Sequence, residues 1–182
     1  MIHLGDLPVA LRKFEDRDVE SLYRFRNDRE ITRHLGGFST GYSRADLADW
    51  IAFHRKRSDE VIYAIAAQPS DDCIGHVGLY NIDHRVRKAE FAILIGDPDA
   101  QGKGLGRAIS SWMVENGFRE HNLHKIELTV LADNQRAIRL YERLGFQVDG
   151  VLRDDQFRDG QYVDVIAMSI LEKEWRSARG ES

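Results

Sequence analysis

The residues best suited to chemistry are Gln101-Gly102-Lys103-Gly104-Leu105-Gly106, which follow the apolar run Ala89–Ile95 and lead into a helical pattern from Arg107. Alternate glycines let a backbone turn tightly and approach a ligand, because no Cβ stands in the way. The helix that follows adds unpaired N–H groups and the positive end of its dipole, so strand, loop and helix read as an anion cradle. The spacing restricts the anion. A P-loop requires G-x-x-x-x-G-K-[ST], but Lys103 is followed by Gly104. A dinucleotide fingerprint requires G-x-G-x-x-G, and after Gly102 and Gly104 the third glycine position holds Arg107. Q-x-x-G-x-G remains, met by Gln101, Gly104 and Gly106. A glycine-rich turn without a ligand is the alternative reading of the loop alone.

The elements that must hold this loop follow from periodicity. Pro8–Arg12 reads as a first strand, and a helix capped by Asp16 or Asp18 carries Val19, Leu22, Tyr23 and Phe25 on one face until Arg26-Asn27-Asp28 ends it. A short helical turn then gives way to Gly36–Gly41, and Ser43-x-x-Asp46 is a capping box ahead of a helix reaching about Lys56. Val61–Ala67, Ile74–Tyr80 and Ala89–Ile95 form an antiparallel meander with turns at Gln68–Asp72 and Asn81–Lys88. A helix over Arg107–Glu120 crosses to the strand Ile126–Val130, making a parallel pair. Asp133 or Asn134 caps a helix over Gln135–Leu144, with Gly145 as its left-handed stop and Phe146 folding back. Gln147–Leu152 and Tyr162–Leu171 pair through a turn with Asp159-Gly160 at its tip, and residues after Glu172 read as a fraying polar tail.

A second motif reinforces the loop. The segment Asn134-Gln135-Arg136-Ala137-Ile138-Arg139-Leu140-Tyr141-Glu142-Arg143-Leu144-Gly145-Phe146 fits N-x-x-A-x-x-x-Y-x-x-x-G-F. With Q-x-x-G-x-G it resembles the GCN5-related N-acetyltransferases (GNAT), over residues about 60–171. The resemblance implies an α+β (α/β) fold with a mixed sheet of six to seven strands and about four helices. It also implies one domain over residues 1–171, a tail over 172–182, and acetyl-coenzyme A as cosubstrate. Arg26-Asn27-Asp28, Ile95–Asp99 and Asn122–Lys125 resemble the bacterial branch that acetylates ribosomal-protein alanine or spermidine.

The chemistry of such a transfer gives these residue types a purpose. An amine must be neutral to attack a thioester, although an aliphatic amine is mostly protonated near pH 7. A base or water relay is therefore needed, along with amides for the oxyanion and an acid for the departing thiolate. By resemblance, Tyr141 is the acid, and a distortion of the preceding strand exposes the backbone of Phe91, Ile93, Leu94 and Ile95 to the pantetheine arm. Gln101 and the amides of Gly102, Lys103, Gly104, Leu105, Gly106 and Arg107 form the pyrophosphate loop, and Asn134 contacts the coenzyme arm. Glu90 is the candidate base or amine-binding carboxylate, its pKa raised if the cleft buries it; a water relay is the alternative. His76 and Tyr80 are weaker candidates.

Several functions are disfavoured. A net charge of −4 argues against a nucleic-acid surface, and no apolar run approaches the roughly 18 residues of a membrane span. With no secretory signal pattern, the expected location is the cytoplasm. The single cysteine, Cys73, reads as core filler, and His121-x-x-His124 lacks a third ligand, so no metal site is expected. Glu15–Asp18 either draws a cationic substrate or is a solvated helix start. The expected partner is a small amine, polyamine-like by slight preference. A ribosomal-protein N-terminus and an amino sugar are alternatives, and a coenzyme-binding sensor is the reading from another class. Thr32–Tyr42 and Asn81–Lys88 are placed to select the acceptor, and resemblance implies a homodimer through sheet edges.

Overall fold

The computed structural model describes residues 1–33, 35 and 41–181. Among these, eight strands form one sheet in the order β1-β2-β3-β4-β5-β6-β8-β7. The meander consists of β2 (Val9–Arg12), β3 (Val61–Ala67), β4 (Cys73–Asp83) and β5 (Lys88–Ile95), all antiparallel. It is edged by the two-residue β1 (Ile2–His3), too short to show a period and absent from the expected six or seven strands. Helix α4 (Leu105–Arg119) carries the chain to β6 (Lys125–Leu131), which runs parallel to β5. After α5 (Gln135–Arg143), β7 (Gln147–Arg158) and β8 (Gln161–Leu171) complete the sheet. Asp159 and Gly160 both have positive φ, +47° and +81°, as a two-residue turn of their type requires.

Two apolar clusters hold the layers together. Ile109, Met113 and Phe118 of α4 and Ile138 of α5 pack with Leu79, Phe91, Ile126, Met168 and Ile170 of the sheet. The front helices α1 (Val19–Asn27) and α3 (Arg44–Lys56) form a second group, in which Leu22, Leu47 and Ile51 meet Phe14, Ile62 and Ala64, while the short α2 (Arg29–Thr32) buries none of its residues. The expected capping box is present: Ser43 Oγ accepts from the Asp46 amide at 3.1 Å and Asp46 accepts from the Ser43 amide at 2.7 Å. The segment Gly36–Thr40 lies outside the described residues.

Two expectations change. Of the acids at Glu15–Asp18, Glu15 and Asp16 are exposed at a helical start as expected, but Asp18 is not solvated: it is buried and bound by Arg12 at 2.7 and 2.8 Å, and Arg12 also reaches Asp71 at 2.9 Å. A buried guanidinium needs such partners, so this cluster locks β2 to the β3–β4 turn. Residues 172–178 do not fray but form α6 (Glu172–Ala178), in which Trp175 is buried against Phe118, ring centroids 5.4 Å apart. Glu174 caps this helix by accepting from the Leu171 amide at 3.0 Å. One aromatic in a polar run offers no period from which to foresee it.

Candidate active site

The site begins where β5 and β6 part. They are in register only from Lys88↔Lys125 to Glu90↔Glu127. Beyond that point, Phe91–Ile95 and Leu128–Leu131 line opposite walls of a cleft of about 1310 Å³. The strand edge turned towards β6 thereby loses its pairing partner and is free to bond an extended ligand arm. The distortion expected within Phe91–Ile95 is absent: the ladder to β4 runs one to one from Gly75↔Ile95 to Tyr80↔Glu90, and its irregularity lies between Tyr80 and Asp83. Divergence of β6, not a bulge in β5, exposes this backbone.

The glycine loop closes one end of the cleft. Gly102 and Gly104 have φ of +78° and +79°, and nothing lies within 4 Å of where a Cβ would stand. Positive φ is therefore what requires glycine here, and the loop surface stays open. The helix starts at Leu105, so the first-turn amides of Leu105 and Gly106 have no acceptor within it. The Arg107 amide differs from expectation, since it donates to Gly104 O at 3.1 Å. Gln101 acts through its side chain, which donates to Ile95 O at 3.0 Å and pins the loop to the end of β5. Gly96, just before the loop, is constrained by packing: a Cβ there would meet the Phe25 ring at 2.2 Å.

Tyr141 stands on the opposite wall. Helix α5 starts with Asn134 Oδ1 accepting from the Ala137 amide at 3.2 Å, and ends at Gly145, φ +98°, with the Phe146 amide returning to Tyr141 O at 3.0 Å. These caps fix the helix's rotation and place the Tyr141 ring edge-on to Phe91, centroids 6.1 Å apart. Burial pushes the phenol up to about 12, and no described residue hydrogen-bonds its hydroxyl. Tyr141 thus lines the cleft as a protonated phenol. Asn134 lines the cleft as well as capping the helix.

Glu90 lines the cleft but is exposed rather than buried, because the alternation of β5 sends Ala89 and Phe91 into the core. Its register partner Glu127 is held by Lys88 at 2.7 Å and Lys125 at 3.4 Å. His76 and Tyr80 occupy the front wall. Burial, then the nearby Arg26 charge, lowers His76 to about 3, so its ring is neutral near pH 7; burial also raises Tyr80. Cys73 is buried, its thiol pushed up to about 12 by burial, as befits filler.

Sequence reasoning missed how this wall is assembled. Arg26 Nη2 lies 3.3 Å from His76 Nε2, and His54 Nδ1 lies 2.5 Å from the buried Glu60 Oε1. The Arg26-Asn27-Asp28 run marked the place, since Asn27 bonds Tyr23 and Tyr42 while Asp28 caps α2. At the far side, Arg158 of β7 donates to the carbonyls of Thr32, Arg33 and Leu35, bringing the hairpin tip against α2. Nothing local announces a contact 126 residues apart.

Open glycine loop, unpaired strand edge and buried phenol together fit a coenzyme with a pyrophosphate, an amide-bearing arm and a thiol, which defines an acyl-coenzyme A-dependent transferase. Residues 9–147 match the family model for the acetyltransferase (GNAT) domain. The chain is 32% identical to the spermidine N(1)-acetyltransferase of Escherichia coli, covering 92% of this chain and 88% of that protein. It is 31% identical to the Vibrio cholerae spermidine N(1)-acetyltransferase, covering 92% and 95%. A Vibrio cholerae spermidine N-acetyltransferase in complex with CoA and spermine superposes with a TM-score of 0.84 at 32% identity, over 92% of this chain and 98% of that one. The chain belongs to the GNAT family of acetyltransferases. It is an acyltransferase with acetyl-coenzyme A as its cosubstrate. No described helix is long and apolar enough to cross a membrane.

Proposed function

We propose that this enzyme transfers an acetyl group directly from acetyl-coenzyme A to a primary amine of a polyamine such as spermidine. The observation that carries this reading is the carboxylate pair Glu90 and Glu127, in register at the fork where β5 and β6 part, with both residues lining the cleft. Glu127 is already balanced by two lysines, which leaves Glu90 to hold an ammonium. Asp155 and Glu30 extend the acidic lining towards the front. The similarity to spermidine acetyltransferases over nearly the whole chain supports the same acceptor.

Acetyl-coenzyme A supplies a thioester carbonyl and a thiolate leaving group. Glu90 binds the arriving ammonium and, directly or through water, accepts the proton whose loss frees the nitrogen lone pair. The unpaired backbone along Phe91–Ile95 aligns the pantetheine arm, while Gly102, Lys103, Gly104, Leu105 and Gly106 bind the pyrophosphate. Asn134 adds a contact to the arm, and Tyr141 Oη donates its proton towards the departing sulfur. Val148, Val151 and Leu152 are exposed along the edge strand β7, where two copies would pair as a homodimer.

In Glu90→Gln, kcat/KM for spermidine is expected to fall about tenfold to a hundredfold, the worth of one charge-assisted contact, with the acetyl-coenzyme A KM unchanged. An unchanged kcat/KM for spermidine would remove Glu90 from the role. Preferred turnover of an N-terminal alanine peptide or an amino sugar would replace the acceptor.

A further inference from the structure

Arg26, His76 and Tyr80 of the front wall form a run of hydrogen bonds whose direction is fixed at one end. Arg26 Nη2 lies 3.3 Å from His76 Nε2, and His76 Nδ1 lies 3.4 Å from Tyr80 Oη. A guanidinium carries only donors, so Nε2 must accept. With its pKa lowered by burial, His76 is neutral near pH 7, and its one ring proton therefore sits on Nδ1 and is donated to Tyr80 Oη. That contact uses the phenol as an acceptor and leaves its own O–H to donate. No described residue accepts from it. Burial raises the Tyr80 phenol, which keeps this proton in place near neutral pH.

The ring is held where its hydroxyl is of use. A Cβ at Gly78 would stand 2.9 Å from Tyr80 Cε2 and 3.0 Å from Ile62 Cγ1, so the Tyr80 ring lies along β4, over Gly78 and towards His76. In register, Gly78 faces Ala92 and His76 faces Leu94, which sets the hydroxyl end of the ring level with the part of β5 that aligns the pantetheine arm. Tyr80 and its own register partner Glu90 both line the cleft. Trp50 packs over the relay, 5.6 Å from the His76 ring and 5.9 Å from the Arg26 guanidinium. An oriented O–H in this place calls for an acceptor. Protonated nitrogens of a polyamine are donors only, whereas the carbonyl oxygen of the acetyl group accepts, and it gains negative charge as the amine adds.

We propose that Tyr80 donates its O–H to the carbonyl oxygen of the acetyl group, with His76 and Arg26 as the positioning residues that hold it in that role. This rests on the direct transfer from acetyl-coenzyme A read above. As the amine nitrogen bonds the carbonyl carbon, the carbonyl electron pair moves onto oxygen, where Tyr80 stabilises it without giving up its proton. The pair then reforms the carbonyl as the C–S bond breaks. The nitrogen's proton goes to Glu90, and the thiolate is protonated by Tyr141. The positive charge of Arg26 polarises the run, so that each donor strengthens the next.

A binding test needs no amine: calorimetry of wild type and Tyr80→Phe with acetyl-coenzyme A and with S-ethyl-coenzyme A, which lacks the carbonyl oxygen. Wild type should bind the acetyl form about threefold to tenfold more tightly, and Tyr80→Phe should bind both alike. In turnover with spermidine, or with whichever amine wild type acetylates, Tyr80→Phe should lower kcat about a hundredfold, with both KM values within about threefold of wild type. His76→Leu should lose about tenfold, and the double variant no more than Tyr80→Phe alone. His76→Asn, whose amide can donate in the place of Nδ1, should recover most of the rate. Proton–nitrogen correlation spectra should find the His76 proton on Nδ1 in wild type, with the Nε2–H form appearing in Arg26→Met. No carbonyl preference in wild type, a preference that survives in Tyr80→Phe, an unchanged kcat, losses that multiply in the double variant, or a wild-type His76 protonated on Nε2 would each overturn the inference while leaving the coenzyme assignment intact. Failure of wild type to bind either coenzyme would overturn that assignment and the inference with it, whereas turnover of another amine in place of spermidine would replace the proposed acceptor alone.

Discussion

Replacing Tyr141 with phenylalanine separates chemistry from folding in this enzyme. The ring is buried and packs edge-on to Phe91, contacts that phenylalanine keeps. Tyr141 lines the cleft and its hydroxyl has no partner among the described residues, so its removal leaves no other group unsatisfied. Stability is therefore expected to change by less than about 1 kcal/mol. Catalysis has more to lose. A positioned general acid is worth about 10²–10⁴ in rate, or roughly 3–5 kcal/mol of barrier. Tyr141→Phe should lower kcat by that factor, read as thiol release in a chromogenic assay, while the acetyl-coenzyme A KM moves less than about threefold. Because burial holds the phenol at about 12, the acid form persists through the assay range and is lost only as pH rises through that value. A kcat within about threefold of wild type would refute the assignment, and so would a loss of rate that follows a loss of folded protein.

Three other outcomes follow from the packing. His76, lowered to about 3 by burial, binds its proton only in the unfolded chain between that value and about 6.5, so its contribution to stability is complete above pH 6.5 and drains away as pH falls towards 3. Urea midpoints should drop over this interval, and drop less in His76→Gln; parallel profiles for the two proteins would contradict this. Gly96→Ala forces a Cβ into the Phe25 ring and should cost about 1–3 kcal/mol in urea unfolding, so an unchanged midpoint would show that Phe25 yields freely. Trp175→Ala should cost about 3–5 kcal/mol, because α6 is anchored through that ring, and a loss below 1 kcal/mol would mean that the helix is dispensable.

What the sequence revealed and what it hid divide along the range of the interactions involved. The glycine loop, the Asn134 cap, the Gly145 stop and the Asp159-Gly160 turn are each dictated within a few residues, by positive φ or by one side chain bonding a nearby amide. They were legible for that reason, as was the meander written in β-branched runs. The cleft itself was not. It exists because β6 leaves β5 after Glu127, and strand divergence has no residue signature. The exposure of Glu90 depends on which phase of β5 faces the core. Arg158 against α2, and Arg12 against Asp18 and Asp71, join segments that only the folded chain brings together. His76 and Tyr80 share one strand, yet the guanidinium that orients them comes from α1, 50 residues away.

The most direct measurement is steady-state turnover of acetyl-coenzyme A, followed as thiol release, with spermidine, spermine, an N-terminal alanine peptide of a ribosomal protein and an amino sugar offered in parallel. Saturable turnover with a polyamine, at a kcat/KM at least about tenfold above the others, is the predicted result, since only a polycation gains from the acidic fork at Glu90 and Glu127. Turnover confined to the peptide or the sugar, or none with a polyamine while the coenzyme binds, would contradict the proposed acceptor.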